Sequence, residues 1–272
     1  MHTRSVSRIR QSISEASPKR DVCRSSPCTR IEKETRLAIT GASEVHRALC
    51  APEFQRIGNY EFASRVVPAR HIGGDFVCTF QQGNQTFAVL GDLMGKGLSA
   101  AMWITHIVDL LHRAVEASQN TCDLLGHLNT EILNSRVRAP LTSAVAICFD
   151  HSTNQVSVAS AGHPPAILVR GCSRVETIHE GGPIMGVFAN ARYACRDIEL
   201  GQGDAIVAFS DGVIEAHNGD GEDFSIERAL KTLSAGAASP AKRKLGCLLA
   251  ATESFADDSQ FDDVSLLVIQ RS

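Results

Sequence analysis

Residues 86–102 read TFAVLGDLMGKGLSAAM. An apolar run typical of a buried strand leads to Asp92, and glycines at positions 95 and 97 allow the chain to turn. Residues 99–117 then have the apolar periodicity of an amphipathic helix. The pattern predicts a carboxylate at the point where a buried strand gives way to a helix.

Predicted strands and helices alternate in blocks on both sides of this stretch. Short apolar and β-branched runs predict strands, and longer periodic runs predict helices. The predicted strands cover residues 60–67, 76–80, 86–91, 143–149, 156–160, 166–169, 194–200, 205–209 and 264–269. The predicted helices cover about residues 31–49, 99–117, 121–137 and 226–255, with an interruption near Ser239 and Pro240. This order predicts an α+β fold of stacked sheets covered by helices.

The composition is that of a globular protein, with 43% hydrophobic and 21% charged residues, which excludes wholesale disorder. The most apolar long stretch, residues 100–117, is broken by His106, Asp109, His112 and Arg113. These side chains argue against a membrane span. The first residues are basic and polar and lack the apolar run of a secretory signal. We therefore expect a cytoplasmic protein.

The charge is distributed unevenly along the chain. Residues 1–36 carry nine Lys and Arg against four Asp and Glu, and the remainder carries eighteen against twenty-six. We expect residues 1–30 to be a flexible basic leader, and a solvated tail is favoured over one that contacts nucleic acid or anionic lipid. The acidic charge of the remainder of the chain is not typical of a nucleic-acid-binding domain.

The nine cysteines show no CxxC pair, and their number is odd. Scattered through apolar segments, they predict reduced, mostly buried thiols. A zinc site formed by Cys23 and Cys28 is a disfavoured alternative.

Four acidic residues stand beside glycines or at the ends of predicted strands. They are Asp75 in IGGD, Asp92 in VLGD, Asp211 in FSDG and Asp262 in FDDV. Carboxylates that converge repel each other, and Mg²⁺ or Mn²⁺ would relieve that repulsion because both ions prefer oxygen ligands. Taken alone, each Asp is more often a turn former than a metal ligand, since Asp-Gly is a common turn pair.

Seven motifs follow one another in a set order. They are GGDF, GDLMGKGLSAAM, LTSAVAICFD, SAGHPPAILV, GGPIMGV, GDAIVAFSDGVIEAHN and FDDVSLLV. Over roughly residues 55–272 this set resembles the SpoIIE-like branch of the metal-dependent (PPM-type) serine/threonine protein phosphatases. The resemblance implies an α-β-β-α sandwich of two antiparallel sheets flanked by helices. It also implies a phosphatase domain at 55–272, preceded by a linker or regulatory helix at 31–54.

The resemblance also implies a set of site residues and two bound ions, Mn²⁺ or Mg²⁺. The implied metal ligands are Asp75, Asp92, the backbone carbonyl of Leu93, Asp211 and Asp262, and the four carboxylates form the catalytic set. Asp92 would lie between the ions, and Asp263 is the rival of Asp262. His163 in AGHPP is expected to orient a loop rather than to catalyse. The implied chemistry is hydrolysis of a phosphomonoester by an activated water, with no side-chain nucleophile.

The implied function is that of a metal-dependent protein serine/threonine phosphatase. Its implied substrate is a phosphorylated STAS-domain protein, an anti-sigma-factor antagonist in a bacterial partner-switching pathway. Two alternatives stay open: a pseudophosphatase that binds without turnover, and a hydrolase of a small phosphate ester. The presence of all four carboxylates disfavours the first.

Residues 31–54 present a further question. Apolar residues form a stripe on the predicted helix, consisting of Ile31, Leu37, Val45, Ala48 and Leu49. A helix of this length is marginal in water unless the stripe is buried. We expect it either to form a homodimer or dock an activating partner, or to pack within its own chain.

Overall fold

The structure of the protein is a computed structural model that describes residues 27–95, 97–256 and 262–272. It forms two compact units, with the boundary after Leu37. The described part of the first unit is the beginning of helix α1 (Pro27–Leu49). The second unit contains every strand and all the other helices that the structure describes. None of the described helices is both long enough and apolar enough to cross a membrane.

The second unit contains twelve described strands and five further helices. The strands are β1 (Phe54–Ile57), β2 (Tyr60–Val67), β3 (Asp75–Gln82), β4 (Gln85–Leu93), β5 (Thr142–Asp150), β6 (Gln155–Ala161), β7 (Ala166–Val169), β8 (Val175–Ile178), β9 (Gly181–Gly182), β10 (Arg196–Glu199), β11 (Ala205–Phe209) and β12 (Val264–Arg271). The helices are α2 (Leu98–Glu116), α3 (Thr121–Asn134), α4 (Asp211–Ile214), α5 (Ser225–Ala235) and α6 (Ala241–Phe255).

These strands form two six-stranded sheets. The first sheet has the order β1-β2-β12-β11-β7-β8 and is antiparallel throughout. The second has the order β10-β6-β5-β4-β3, and β9 pairs in parallel with β6. Strands that are neighbours in a sheet are thus often distant in sequence. Because β11 and β12 are antiparallel neighbours, the end of β11 lies beside the beginning of β12.

Strand β4 shows how a strand that is buried on both faces serves two layers. Successive side chains of a strand point to opposite faces. Phe87 and Val89 therefore pack in the core cluster that includes α2 and α3. Ala88 and Leu90 pack in a second cluster, which is made of side chains from both sheets. This explains why the segment is apolar almost without interruption.

Strand β12 has the same alternation in the first sheet. Leu266 and Val268 pack with α5 and α6, whereas Leu267 and Ile269 face the cluster between the sheets. The layers therefore run helix, sheet, sheet, helix. The predicted α-β-β-α sandwich is confirmed.

The predicted elements are present with shifted ends. The helix predicted from residue 31 begins at Pro27, and the predicted helical region 226–255 is two helices separated around Pro240. Four elements were not predicted, β1, β8, β9 and α4, because they are short and have weak apolar patterns. Of the predicted leader, residues 1–26 lie outside the described residues, as does Cys23 of the disfavoured zinc pair.

The expectation of reduced thiols is wrong for one pair of cysteines. Cys122 in α3 and Cys195, immediately before β10, form a disulfide with their Cα atoms 5.5 Å apart. The two residues are 73 positions apart in sequence, so no spacing motif could have predicted that they pair. Cys172 and Cys247 are free but exposed rather than buried.

We expect reduction of this disulfide to lower thermal stability. Closing a loop of this length stabilises a protein by about 4 kcal/mol in the chain-entropy description, which corresponds to roughly 5–10 °C in Tm. Scanning calorimetry with and without dithiothreitol measures the effect. Cys195→Ser should start from the lower Tm and not respond to dithiothreitol, whereas Cys247→Ser should respond like the wild type. A wild-type Tm that dithiothreitol leaves unchanged would contradict the prediction.

Candidate metal centre

Two of the predicted site residues lie opposite each other in the second sheet. Asp75 is the first residue of β3, and Asp92 is the penultimate residue of β4. The two strands are antiparallel, and their register pairs Asp75 directly with Asp92. Directly opposed residues of an antiparallel pair have Cα atoms about 4.5–5.5 Å apart. The fold therefore brings these two carboxylates together.

The other two predicted site residues lie at one edge of the first sheet. Asp211 begins α4 just after β11, and Asp262 lies two residues before β12. Strands β11 and β12 are antiparallel, and Phe209 pairs with Leu266 near that edge. The carboxyl end of one strand and the amino end of the other are therefore adjacent.

The two pairs of carboxylates share one electrostatic environment. The pKa of Asp92 is raised to about 6, first by burial and then by the charges of Asp211, Asp262 and Asp263. Asp211 and Asp262 lie beside strands of the other sheet, and Oδ2 of the neighbouring Asp263 accepts a hydrogen bond from the Gly74 amide at 2.7 Å, so the edges of the two sheets meet at this site. An accumulation of negative charge is the arrangement that a bound cation would stabilise.

Asp75 is the most deeply buried of the four. Its residue is 1% exposed. Its Oδ2 atom makes no well-formed hydrogen bond within the described ranges, although the hydroxyls of Ser210 and Ser265 interact with the carboxyl group and partly offset the rise in its pKa. Burial and the neighbouring charge of Asp92 raise the pKa of Asp75 well above its usual range. A buried carboxylate oxygen without a well-formed hydrogen bond is costly, so this atom is suited to a ligand from outside the chain.

Gly74 has no side chain, so the space beside Asp92 and the Leu93 carbonyl stays open. A Cβ atom there would lie 2.4 Å from the carbonyl oxygen of Leu93 and 2.9 Å from Oδ1 of Asp92. Any larger residue would therefore displace the two groups that the resemblance assigns to a metal. The glycine thus keeps the carbonyl of Leu93 and the carboxylate of Asp92 close to the beginning of β3.

Asp263, the rival of Asp262, has both carboxylate oxygens engaged with the backbone. Its Oδ1 accepts a hydrogen bond from the Ala69 amide at 2.8 Å, and its Oδ2 accepts one from the Gly74 amide at 2.7 Å. Asp262 accepts a hydrogen bond from the Asp263 amide at 2.8 Å and is only partly buried. These contacts favour Asp262 over Asp263 as the ligand.

His163 contacts the strand that pairs with Asp92. Its Nδ1 is 2.7 Å from the hydroxyl of Ser143, and Ser143 is the β5 residue paired with Asp92. Burial lowers the pKa of His163 to about 3, so the imidazole is neutral at neutral pH. A group that stays neutral and holds the residue beside Asp92 fits the predicted orienting role.

Three further residues at the site were not predicted from the sequence. His46 of α1 lies with its Nε2 2.9 Å from the carbonyl oxygen of Asp75, and because a carbonyl only accepts, Nε2 donates. Ser210 is fully buried just before Asp211. Burial and the charges of Asp211, Asp223 and Asp262 raise the pKa of Glu215. Only Ser210 could have been suspected, from its place in FSDG.

The donor set fits hard divalent cations. Within the described ranges, no three His, Cys, Asp or Glu side chains are already placed to hold one ion together. The cluster nevertheless offers carboxylate and carbonyl oxygens, which Mg²⁺ and Mn²⁺ prefer. It also has the buried Oδ2 of Asp75, which makes no well-formed hydrogen bond within the described ranges, and the open space at Gly74. Metal binding would relieve the repulsion among the carboxylates.

Comparison with known proteins places this architecture in a family. The family described as Stage II sporulation protein E (SpoIIE) matches residues 82–272. Among curated relatives, the phosphoserine phosphatase RsbU of Bacillus subtilis is 23% identical over 244 residues, which cover 89% of this chain and 72% of RsbU. Protein IcfG of Synechocystis sp. is 24% identical over 234 residues, 75% of this chain. The matched region spans only 37% of IcfG.

A solved structure agrees with these relatives on the fold. The SiaA-PP2C domain of Pseudomonas aeruginosa superposes with a TM-score of 0.77 at 18% identity, and the match covers 89% of this chain and 99% of that domain. Fold, motif order and family match therefore agree. The chain belongs to the SpoIIE family, a branch of the PPM-type serine/threonine phosphatases.

Proposed function

We propose that the protein is a divalent-metal-dependent phosphatase that hydrolyses phosphoserine or phosphothreonine on a protein. The observation that carries this proposal is the meeting of the two sheets at one group of carboxylates: Asp75 pairs with Asp92, and Asp263, next to Asp262, binds the Gly74 amide. The residues that would hold Mn²⁺ or Mg²⁺ are Asp75, Asp92, the Leu93 carbonyl, Asp211 and Asp262. When bound, such ions activate water for attack on phosphorus and neutralise charge on the phosphoryl group.

The chain's own residues prepare the site for this chemistry. Asp92 offers a charged carboxylate between the two sheets, and Gly74 leaves room for the Leu93 carbonyl beside it. Ser143 and His163 hold the strand that flanks Asp92. The site thus supplies oxygen ligands on a rigid frame, which is the condition for precise positioning of a substrate phosphate.

We propose a phosphorylated STAS-domain protein in a partner-switching pathway as the substrate. The support is the SpoIIE family membership together with the relative RsbU, a phosphoserine phosphatase. We further propose that the domain responsible covers residues 55–272 and that the protein acts in the cytoplasm.

Phosphate release by the purified full-length chain tests the proposed activity. With Mn²⁺ we expect release from a phosphorylated STAS-domain protein and from a phosphoserine peptide, and with EDTA we expect none. Binding of the phosphoprotein without release would indicate a pseudophosphatase. Release from p-nitrophenyl phosphate and small esters alone would indicate a hydrolase of small phosphate esters. Either of these results would overturn the proposal.

We propose that residues 31–54 mediate homodimerisation. Ile31, Leu37 and Val45 on helix α1 are 64%, 63% and 54% exposed, whereas Leu49 packs against the core of the second unit. The exposed part of the stripe is thus available to a second protomer. Burying large apolar side chains contributes about 1.5–3 kcal/mol each, which makes the stripe a plausible source of association free energy.

The variant Ile31→Glu/Leu37→Glu should convert a dimer to a monomer. We prefer it to deletion of residues 1–50, because that deletion would remove the hydrogen bond from His46 to the Asp75 carbonyl. Light scattering measures the mass, and Lys33→Glu is the control because it adds negative charge at an exposed polar position. A wild-type chain that is monomeric at micromolar concentration would contradict the proposed dimer.

A further inference from the structure

Asp263 contacts the segment that leads into the second sheet of the site. Its residue is 4% exposed, and its two carboxylate oxygens accept hydrogen bonds from the amides of Ala69 and Gly74. A Cβ atom on Gly73 would lie 2.1 Å from Oδ2 of Asp263, so the backbone approaches the carboxylate as closely as glycine allows. Because Asp75 follows directly, Asp263 fixes the start of β3.

The backbone of Asp263 contacts the segment that carries Asp211. Its carbonyl oxygen accepts a hydrogen bond from the Ser210 hydroxyl at 3.2 Å, and the same hydroxyl accepts one from the Ser265 amide at 2.9 Å. A Cβ atom on Gly212 would lie 2.0 Å from the Asp263 carbonyl oxygen. The turn around Asp211 is therefore packed directly on the backbone of Asp263.

Asp263 also contacts its own neighbour in the site, since its amide donates to Oδ1 of Asp262 at 2.8 Å. One residue thus touches three chain segments through three different groups. The carboxylate contacts the segment before Asp75, the carbonyl contacts the segment around Asp211, and the amide contacts Asp262.

We infer that Asp263 is a positioning residue of the metal centre: it holds three ligand-bearing segments in one arrangement and does not itself bind the ion. This inference rests on the proposed function. It assigns Asp263 a role other than that of a rival ligand. Residues that hold metal ligands in place commonly change metal affinity by 10–100-fold when they are replaced.

The chemistry of the contact predicts a graded response to substitution. An ionised carboxylate offers acceptors to both amides, whereas asparagine offers one acceptor and one donor. In Asp263→Asn, the donor would face one of the two amides of Ala69 and Gly74, so one hydrogen bond is lost. Asp263→Ala loses both, together with the charge that strengthens them.

Asp204 provides a matched control. It is 8% exposed, and its carboxylate accepts hydrogen bonds from the amides of Gly171 at 3.0 Å and Gly201 at 2.9 Å. It also forms an ion pair with the Arg170 guanidinium at 2.6 Å. It immediately precedes β11, whereas Asp211 follows the other end of that strand. Asp204→Ala therefore removes the same two amide contacts, and the ion pair with Arg170 in addition, away from the proposed centre.

Calorimetric titration of the full chain with Mn²⁺ tests the inference. We expect Asp263→Ala to weaken Mn²⁺ binding about tenfold or more, and Asp263→Asn to weaken it by a smaller factor. The Mn²⁺ concentration needed for half-maximal activity should rise in parallel, while kcat at saturating Mn²⁺ recovers to within a few-fold. Asp204→Ala should lower Tm and leave the Mn²⁺ affinity unchanged.

Wild-type Mn²⁺ affinity in Asp263→Ala, or an equal loss of affinity in Asp204→Ala, would overturn the inference. If Asp263→Ala does not fold, unchanged affinity in Asp263→Asn would overturn it instead. These results leave the proposed function standing, because wild-type activity is measured in the same series. A wild-type chain that neither binds Mn²⁺ nor releases phosphate would contradict the proposed function itself.

Discussion

Asp92→Asn is expected to abolish Mn²⁺-dependent phosphate release. Asparagine keeps the volume of the side chain but removes the charge that the proposed ions would share. Bound ions would contribute several kcal/mol of transition-state stabilisation, so kcat should fall by about 10³-fold or more. Phosphate release from a phosphoserine peptide at saturating Mn²⁺ measures the loss.

The same substitution should leave the fold intact and raise Tm in metal-free buffer. Burial and the charges of Asp211, Asp262 and Asp263 already raise the pKa of Asp92. Removing that carboxylate therefore removes repulsion from the folded state. Differential scanning calorimetry in EDTA measures the gain, and added Mn²⁺ should stabilise the wild type but not the variant.

Asp197→Asn is the control for this pair of measurements, because Asp197 is an exposed residue of strand β10. It should behave like the wild type in both activity and Tm. Activity of Asp92→Asn within a few-fold of wild type would mean that the ligand assignment is wrong.

Gly74→Ala is the second substitution with a large expected effect. Its Cβ atom would lie 2.4 Å from the Leu93 carbonyl oxygen and 2.9 Å from Oδ1 of Asp92, closer than non-bonded atoms approach. The strands must separate or the ligands must move, and a displacement of about 1 Å can cost 10²-fold in rate. We expect kcat/KM to fall about 10²-fold and Mn²⁺ affinity to fall with it.

Gly126→Ala is the matched control for this glycine. Gly126 lies inside helix α3, and a Cβ atom there meets nothing within 4 Å. Alanine should stabilise the helix by about 0.5–1 kcal/mol and leave the kinetics unchanged. Wild-type kinetics in Gly74→Ala would show that the beginning of β3 does not approach the ligands as closely as described.

The sequence predicted the layered fold because the strands near the site are apolar on both faces. Phe87 and Leu90 point to opposite sides of β4, and both sides are buried. Such a run stands out in any sequence. The short strands β1 and β9 cannot be recognised in this way. Strand β1 is a half-exposed edge strand of four residues and β9 is a pair of glycines, so neither has an apolar periodicity to detect.

The four carboxylates could be predicted as candidate ligands from the sequence, but their proximity in space could not be predicted from local sequence patterns. Asp75 meets Asp92 through the register of β3 and β4, and β12 lies between β2 and β11 although it comes last in the chain. These are properties of topology. Before the structure, only the family resemblance predicted that these carboxylates lie together.

The contacts that distinguish Asp262 from Asp263 lie beyond any local pattern. The amides of Ala69 and Gly74 that bind Asp263 are 194 and 189 residues away in sequence. For the same reason the disulfide between Cys122 and Cys195 was missed, since long-range pairing leaves no spacing motif.

Anomalous diffraction at the manganese edge, from crystals of the full chain grown with Mn²⁺, tests the central claim most directly. We predict two Mn²⁺ peaks about 4 Å apart, with Asp92 contacting both and the remaining contacts drawn from Asp75, the Leu93 carbonyl, Asp211 and Asp262. The absence of any peak at these residues, or peaks only elsewhere on the chain, would contradict the account.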